Sequence, residues 1–212
     1  MTINIRNQEV ILSKERAIYL PKEKILAISD LHLGKSAYFR KAGVQVPSTI
    51  AQTDLRRLSL VLDEHKPSTL LINGDMFHHE LNSDVDEFEK WKQNYNDVNF
   101  VLVKGNHDRL QNRHYQDLKI DVRELTFCTD EFCFIHDSTH CRSNELYPMS
   151  GHIHPGVSLI GPGKQRLKFP CFYFGVEYAV LPAFSTFTGL YTLKPKLGDQ
   201  IYAITPSKVV KV

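Results

Sequence analysis

Five short clusters of metal-ligating side chains stand out along the chain. They are Asp30-Leu31-His32, Gly74-Asp75, Gly105-Asn106-His107-Asp108, His136-Asp137 and Gly151-His152-Ile153-His154. Each cluster alone has an ordinary structural explanation, since a Gly-Asp pair often forms a turn and a single histidine is often a core residue. Taken together, they supply seven candidate metal ligands, which are two Asp, one Asn and four His: Asp30, Asp75, Asn106, His32, His136, His152 and His154. Carboxylates and imidazoles suit manganese, iron or zinc better than a metal that seeks thiolates.

This donor set is too large for a single zinc ion, which takes three or four protein ligands. We therefore expect two divalent metal ions, with Mn²⁺ favoured over iron or zinc. A carboxylate has two oxygens and can bridge two cations held about 3.5–4 Å apart. Asp75 follows the central apolar run of the chain and is the expected bridge.

The elements that must position these clusters can be predicted from the apolar pattern. Apolar runs at residues 24–29, 69–73 and 100–103 each end directly before a cluster, which is typical of buried strands with functional loops at their C-terminal ends. Helical periodicity fills the intervals at residues 48–65 and 83–94, and Ser83 with Asp86 favours a capped start of the second helix. This alternation predicts a parallel βαβαβ unit.

Beyond residue 126 the pattern changes to short strands. Residues 127–128 and 132–135 flank a Thr-Asp-Glu turn and predict a hairpin, and further short Phe, Tyr and Val segments continue to residue 204. The predicted fold class is therefore α/β, an α/β sandwich whose later strands are mixed or antiparallel. No repeat, linker or shift of composition divides the chain, so we expect a single domain over residues 1–212.

Composition and charge narrow the class of protein further. The 212 residues are 42% hydrophobic and carry a formal net charge of +2, so we expect a globular fold whose net charge alone would not attract a polyanion. Nucleic-acid binding would need local basic patches. Arg6 and Glu9 interrupt the N-terminal segment and no transmembrane span is visible, so we predict a cytoplasmic protein without a membrane segment.

The cysteines show no C-x-x-C spacing, which argues against a zinc site built from thiolates. Without an export signal, we expect them to be reduced core residues rather than disulfides or metal ligands. They are Cys128, Cys133, Cys141 and Cys171.

In their order D-x-H, G-D, G-N-H-D, H and G-H-x-H, the clusters strongly resemble the calcineurin-like metallophosphoesterases. The resemblance implies a four-layer α/β sandwich of mixed sheets flanked by helices, with a dinuclear phosphoesterase centre. It implies that His107 is a catalytic residue facing the scissile phosphate and that Asp108 supports it. It also implies one metal held by Asp30, His32, Asp75 and His154, and a second held by Asp75, Asn106, His136 and His152.

Longer segments indicate a closer resemblance. DLHLGKSAYFR from Asp30, KAGVQVP from Lys41, GDMFH from Gly74 and LPAFSTFTG from Leu181 are similar to the ligase-associated, PdeM-like phosphodiesterases of bacteria and archaea, which are regarded as DNA damage response endonucleases. This resemblance implies a link to DNA repair or nucleic-acid processing. It also implies functional association with a DNA ligase, a helicase and an exonuclease.

GDMFH is also similar to the corresponding motif of double-strand-break repair nucleases. Many phosphoesterases have Asp where His78 stands, so the roles of His78 and His79 stay open. Lys35, Arg40 and Lys41 follow the first cluster and are candidate substrate-binding residues, although basic residues on loops are usually only solvated.

The leading hypothesis is a metal-dependent phosphodiesterase. A hydroxide that bridges two cations would attack phosphorus in line, and His107 would protonate the departing alkoxide. The substrate is a phosphodiester, with DNA as a candidate, and a homo-oligomer is left open. The alternatives are a phosphatase or cyclic-nucleotide phosphodiesterase acting on a small molecule, and a non-catalytic scaffold, which the complete ligand set disfavours. A dinucleotide-binding domain would need G-x-G-x-x-G after the first run, where the chain reads Asp30-Leu31-His32-Leu33-Gly34.

Overall fold

The three predicted parallel strands are neighbours in the computed structural model, which describes residues 1–78, 82–140, 145–161 and 163–212. They lie in a seven-stranded sheet whose strands follow the order of the sequence. The first four strands pair antiparallel and the last four pair parallel, which confirms the βαβαβ unit. The strands are β1 (Thr2–Ile5), β2 (Gln8–Leu12), β3 (Ile18–Leu20), β4 (Ile25–Ile28), β5 (Thr69–Asn73), β6 (Asn99–Val103) and β7 (Ile120–Arg123).

Both predicted helices form, and two short ones accompany them. The α-helices are α1 (Lys35–Lys41), α2 (Ile50–His65), α3 (Ser83–Lys92) and α4 (Asn112–Asp117), with single 3₁₀ turns at Gln93–Tyr95 and Ser138–His140. The cap of α3 differs from the prediction. Asn82, with an extended backbone, accepts a hydrogen bond from the Asp84 N–H at 3.0 Å, so Asn82 and not Ser83 satisfies the free N–H at this end.

The second half of the chain forms a mixed sheet of nine strands. The predicted hairpin is confirmed, because β8 and β9 pair antiparallel around residues 129–131. The spatial order is β14-β11-β12-β13-β10-β9-β8, with β15 beside β12 and β16 beside β15. The strands are β8 (Thr126–Cys128), β9 (Phe132–Ile135), β10 (Tyr147–Ser150), β11 (Pro155–Ile160), β12 (Arg166–Phe174), β13 (Ala179–Val180), β14 (Tyr191–Thr192), β15 (Gln200–Ile204) and β16 (Val209–Lys211).

The two sheets pack face to face, which confirms the predicted α/β sandwich. Leu71 and Val101 of the first sheet share one buried apolar cluster with Phe134 and Phe172 of the second. On the other side of the first sheet, a second core joins its strands to α2, α3 and α4 through side chains such as Leu58, Phe88 and Tyr115. Among the described residues, no helix is both long and apolar enough to cross a membrane.

The cysteines differ in part from the expectation of reduced core residues. Cys128 and Cys133 form a disulfide, because the register of the β8–β9 hairpin places them directly opposite each other. Cys171 is free and buried, as predicted. Cys141 and His79 lie outside the described residues.

Candidate metal centre

The first group of candidate ligands comes from the loop after β4 and from the residue directly before β11. Asp30, His32 and His154 each offer a ligand atom, and these atoms lie within 4.8 Å of one another. The Nε2 atoms of His32 and His154 are 3.3 Å apart, and His154 Nε2 is 3.4 Å from an oxygen of Asp30. Two imidazole nitrogens and a carboxylate therefore converge on one point.

The second group lies at the ends of β5, β9 and β10. Asp75, His136 and His152 place their ligand atoms within 4.8 Å of one another. His136 Nε2 lies 3.5 Å from Asp75 Oδ2, 3.2 Å from His152 Nδ1 and 3.2 Å from the Asn106 side-chain oxygen. The other ring nitrogen, Nδ1, contacts the Asn73 carbonyl at 3.2 Å, so the backbone aims Nε2 at the group.

The two groups are adjacent, and backbone hydrogen bonds connect them. The His152 N–H donates to Asp30, at 3.1 and 3.3 Å from its two oxygens, although His152 belongs to the second group. The His32 N–H donates to the Asp75 carbonyl at 2.8 Å. The structure thus brings all seven predicted donors into one region. The carboxylate of Asp75 belongs to the second group, and its backbone carbonyl contacts His32 of the first.

The chemistry of these side chains fits divalent cations. Each group consists of imidazole nitrogens and a carboxylate oxygen that lie within 4.8 Å of one another. Imidazole and carboxylate donors without a thiolate suit manganese, iron or zinc. We conclude that each group can hold one such ion.

Backbone strain is concentrated at the candidate ligands. Non-glycine residues with positive φ are uncommon and often mark functional sites. Five of the seven donors adopt this conformation, with φ between 50° and 69°: Asp30, His32, Asp75, His152 and His154. The fold therefore holds these side chains in directions that an unstrained strand end would not give them.

Two glycines allow the ligands to approach each other closely. Gly74 has a φ of 84°, and a side chain there would collide with the His136 ring. At Gly151 a side chain would collide with Ser29 and reach the carboxylate of Asp30. The glycines in G-D and G-H-x-H are therefore required by packing around the candidate ligands.

The electrostatics of the centre pair carboxylates with imidazoles. Burial opposes ionisation of Asp30 and Asp75, but their contacts with His154 and His136, respectively, hold both carboxyl pKa values below the usual range. Burial also opposes a charge on His136, yet its hydrogen bond to Asp75 and the nearby carboxylates raise the His136 pKa to about 9. Burial lowers the pKa of His32 to about 3, so this ring is uncharged at neutral pH.

The G-N-H-D loop is held against the second group. The His107 N–H donates to Asp75 Oδ1 at 2.9 Å. Asp108 is buried and accepts hydrogen bonds from the Gly105 N–H at 2.9 Å and the Phe77 N–H at 3.0 Å. Burial raises the Asp108 pKa to about 7. Asp108 thus ties the loop that carries His107 to the segment after β5, which agrees with a supporting role.

The three candidate substrate-binding residues all lie on α1. Lys35 is half-buried, and the charges of Asp30 and Asp75 act on it. Arg40 donates to the Pro47 carbonyl at 3.2 Å, and Lys41 is exposed at the end of the helix. Of the three, Lys35 is the residue that the structure brings toward the candidate metal centre.

Several supporting residues escaped sequence reasoning because their partners are distant in the chain. Ser29 Oγ donates to Asp30 Oδ2 at 2.6 Å. The Asn73 side chain donates to the carbonyls of Ile135 and Met149, which ties the two sheets together below the centre. His78 of the GDMFH motif is a further neighbour of the site, because its ring stacks on the His107 ring with the centroids 5.1 Å apart.

The calcineurin-like phosphoesterase family model matches residues 23–180, so the chain belongs to the calcineurin-like phosphoesterases. Together with the nuclease described next, this membership defines it as a metal-dependent phosphoester hydrolase. The chain is similar to the Pseudomonas putida nuclease MPE, with 27% identity and a TM-score of 0.86 over 100% of this chain and 99% of that chain.

A phosphoesterase from E. coli, Yfce, matches with 11% identity and a TM-score of 0.48 over 89% of this chain and 97% of that chain. No curated protein sequence matches the chain.

Proposed function

We propose that this protein is a dinuclear phosphodiesterase that acts on nucleic acid and belongs with the PdeM-like DNA damage response endonucleases. The observation that carries the proposal is the adjacency of the two ligand groups, which the hydrogen bonds of the His152 N–H to Asp30 and of the His32 N–H to the Asp75 carbonyl connect. Two cations held a few ångströms apart suit an in-line displacement at phosphorus. The full-length similarity to a nuclease supports nucleic acid as the substrate class.

Each side chain has a role in this proposal. Asp30, His32 and His154 would hold one cation, Asn106, His136 and His152 the other, and Asp75 would contribute to both. Bound divalent cations, which we propose to be Mn²⁺, would supply an activated water and neutralise charge on the phosphate oxygens. Lys35, on which the charges of Asp30 and Asp75 act, would orient the phosphate.

His107 is proposed as the general acid. Its backbone is fixed by Asp75 and its ring contacts His32 at 5.7 Å, so the side chain reaches the region between the ligand groups. A histidine placed there would donate a proton to the departing alkoxide oxygen. Asp108 would keep the loop in this position through its two backbone hydrogen bonds.

The wider context is also a proposal. We propose a cytoplasmic, single-domain enzyme that works in DNA repair alongside a DNA ligase, a helicase and an exonuclease, and we leave a homo-oligomer open. The net charge of +2 offers little general attraction for duplex DNA. We therefore expect short or flexible diesters to be better substrates than intact duplex.

A rate comparison tests this function. Initial rates are measured with bis-aryl phosphate, aryl monophosphate, single-stranded DNA and duplex DNA, with added Mn²⁺ and at matched near-physiological salt. We expect the two diesters other than duplex to react fastest, and chelation to abolish all activity. A preference for the monophosphate would favour a small-molecule phosphatase instead. Efficient duplex cleavage would contradict the expected weak duplex binding.

A further inference from the structure

The surface beside the candidate metal centre is formed by α1, which begins three residues after His32. Lys35 and Tyr38 are three positions apart, so their side chains are neighbours on one face of the helix. Lys35 is the half-buried cation on which Asp30 and Asp75 act. Tyr38 is 47% exposed. A cation close to the carboxylates is therefore followed, farther out, by an aromatic ring at the surface.

A series of ring contacts leads from His107 to Tyr38. The His107 and His78 rings stack at 5.1 Å with an interplanar angle of 27°. His78, only 8% exposed, meets Tyr38 at 5.2 Å and 69°. The rings of His107, His78 and Tyr38 together form an aromatic wall. Tyr38 is two ring contacts from the proposed general acid and lies where this wall reaches the surface.

The far side of the wall is supported as well. Tyr38 meets Phe39 at 5.9 Å, and Phe39 meets Phe187 at 5.7 Å, both nearly edge to face. Phe187 belongs to the segment that passes behind Asp30, where the Ser185 N–H donates to the Asp30 carbonyl. The position of Tyr38 is therefore tied to the metal centre from two directions.

We propose that Tyr38 is the stacking site for an unpaired nucleobase next to the scissile phosphate, and that Lys35 binds that phosphate from the same helix face. This inference rests on the proposed function and names the part of the nucleic acid that is recognised. Every base has a flat π face, so stacking on tyrosine tolerates any sequence. A base inside a duplex is covered by its neighbours, so the site selects strands whose bases can turn outward.

The test uses two single-stranded oligodeoxynucleotides of equal length and charge. One carries an ordinary base at the scissile nucleotide and the other carries an abasic tetrahydrofuran there. The kcat/KM of each is measured for the wild type, Tyr38→Phe and Tyr38→Leu. We expect Tyr38→Leu to lose about 5- to 100-fold on the base-bearing strand and less than about 2-fold on the abasic strand, as loss of one stacked base implies. Tyr38→Phe keeps the aromatic ring and should remain within about 3-fold of the wild type on both strands.

Binding provides a second readout. A strand with 2-aminopurine at the scissile nucleotide should lose fluorescence on binding to the wild type and to Tyr38→Phe, and less on binding to Tyr38→Leu. Tyr95→Leu is the matched control. Tyr95 follows α3 and meets Trp91 at 4.9 Å, in the helix core and outside the aromatic wall. We expect it to leave the ratio between the two strands unchanged.

The outcomes separate the two proposals. Equal losses of Tyr38→Leu on both strands, with unchanged quenching, would overturn the stacking site while the nuclease proposal stands. If the wild type cleaves neither strand but hydrolyses bis-aryl phosphate, nucleic acid is not the substrate and both proposals fail.

Discussion

The two ligand groups differ in the exposure of their ligands and in the contacts that support them. Asp30 in the first group is fully buried, and Ser29 holds one of its oxygens at 2.6 Å. In the second group, His152 is exposed and faces an open cleft together with Asn106 and Asp137. Each group thus has two buried ligands, and the groups differ in the third, since His154 is partly buried whereas His152 is exposed where a substrate can arrive.

An ion-pair network supports the segment that lies behind the first group. Arg57 on α2 bonds Glu15 at 2.9 Å, Asp54 at 3.0 Å and the Phe184 carbonyl at 2.8 Å. The Phe184 N–H in turn donates to the Ser29 carbonyl at 2.7 Å. Asp54 also accepts the Thr186 N–H. The helix layer therefore holds the segment that backs Asp30, and no similar network is evident behind the second group in the described residues.

We infer that the two groups are coupled to folding to different degrees. The first group depends on long-range contacts among α2, the segment around residues 183–187 and β4. The second depends on strand ends and on the G-N-H-D loop. Substitutions at the proposed shared ligand, at the proposed general acid and in the support of the first group should consequently have separable effects.

The largest effect is expected from Asp75→Asn, which removes the carboxylate that we propose as the shared ligand of both cations. A neutral amide offers one good oxygen and cannot neutralise two cations. We predict a loss of about 10⁴-fold or more in kcat/KM on every ester, and much less bound metal per purified chain. Metal content by elemental analysis is the direct measurement. Full occupancy with intact activity would contradict the bridging role.

His107→Ala should separate chemistry from metal binding. General acid catalysis is worth about 10²- to 10⁴-fold when the leaving oxygen is basic. We predict a loss of that size with an alkyl or deoxyribose leaving group, a much smaller one with nitrophenolate, and unchanged metal content. Comparing the two ester types in one preparation provides the measurement. Equal losses on both would indicate that His107 binds substrate instead.

Arg57→Met should sharpen the difference between the two groups. It removes the direct ion-pair partner of the buried Asp54, and breaking a buried pair costs about 3–5 kcal/mol. We predict a fall of that size in the free energy of unfolding of the metal-free protein, with bound metal falling toward one ion per chain. Denaturant unfolding and metal titration measure the two effects.

Arg123→Met is the control for this substitution. Arg123 bonds Asp121 at 2.7 Å, but both side chains are more than half exposed. Exposed pairs contribute about 0–1 kcal/mol, so both the unfolding free energy and the metal content should change little. Comparable losses in the two variants would show that Arg57 does not act through the support of Asp30.

The smallest effect is expected from Ser29→Ala. It removes one hydrogen bond to a buried carboxylate, which is worth about 1.5–3 kcal/mol. Removing a partner of a metal ligand typically lowers metal affinity about 10- to 100-fold. We predict that metal titration will show this loss at one of the two sites only. An equal loss at both would indicate that Ser29 supports the centre as a whole.

The sequence by itself determined the three central parallel strands, the two longer helices, the β8–β9 hairpin and the identity of the candidate donors. These features are local, because apolar residues recur along the chain with the period of the element that buries them. Apolar runs stop at Asp30, Gly74 and Lys104, and Leu55 and Leu58 follow the helical period. Polar clusters at the ends of parallel strands must meet at one edge of a sheet. Fold class and donor set could therefore be predicted before any coordinates.

Only the tertiary structure decided how these donors are supported and what surrounds them. Arg57 reaches Phe184 across 127 positions of chain, and Asn73 reaches Met149 across 76. The left-handed backbone at His152 and His154, and the pairing of Cys128 with Cys133, likewise follow from the packing of the two sheets and from register. Such contacts are absent from local pattern because their partners are fixed by topology. The free energy that holds a residue in a strained conformation comes from neighbours that are distant in sequence.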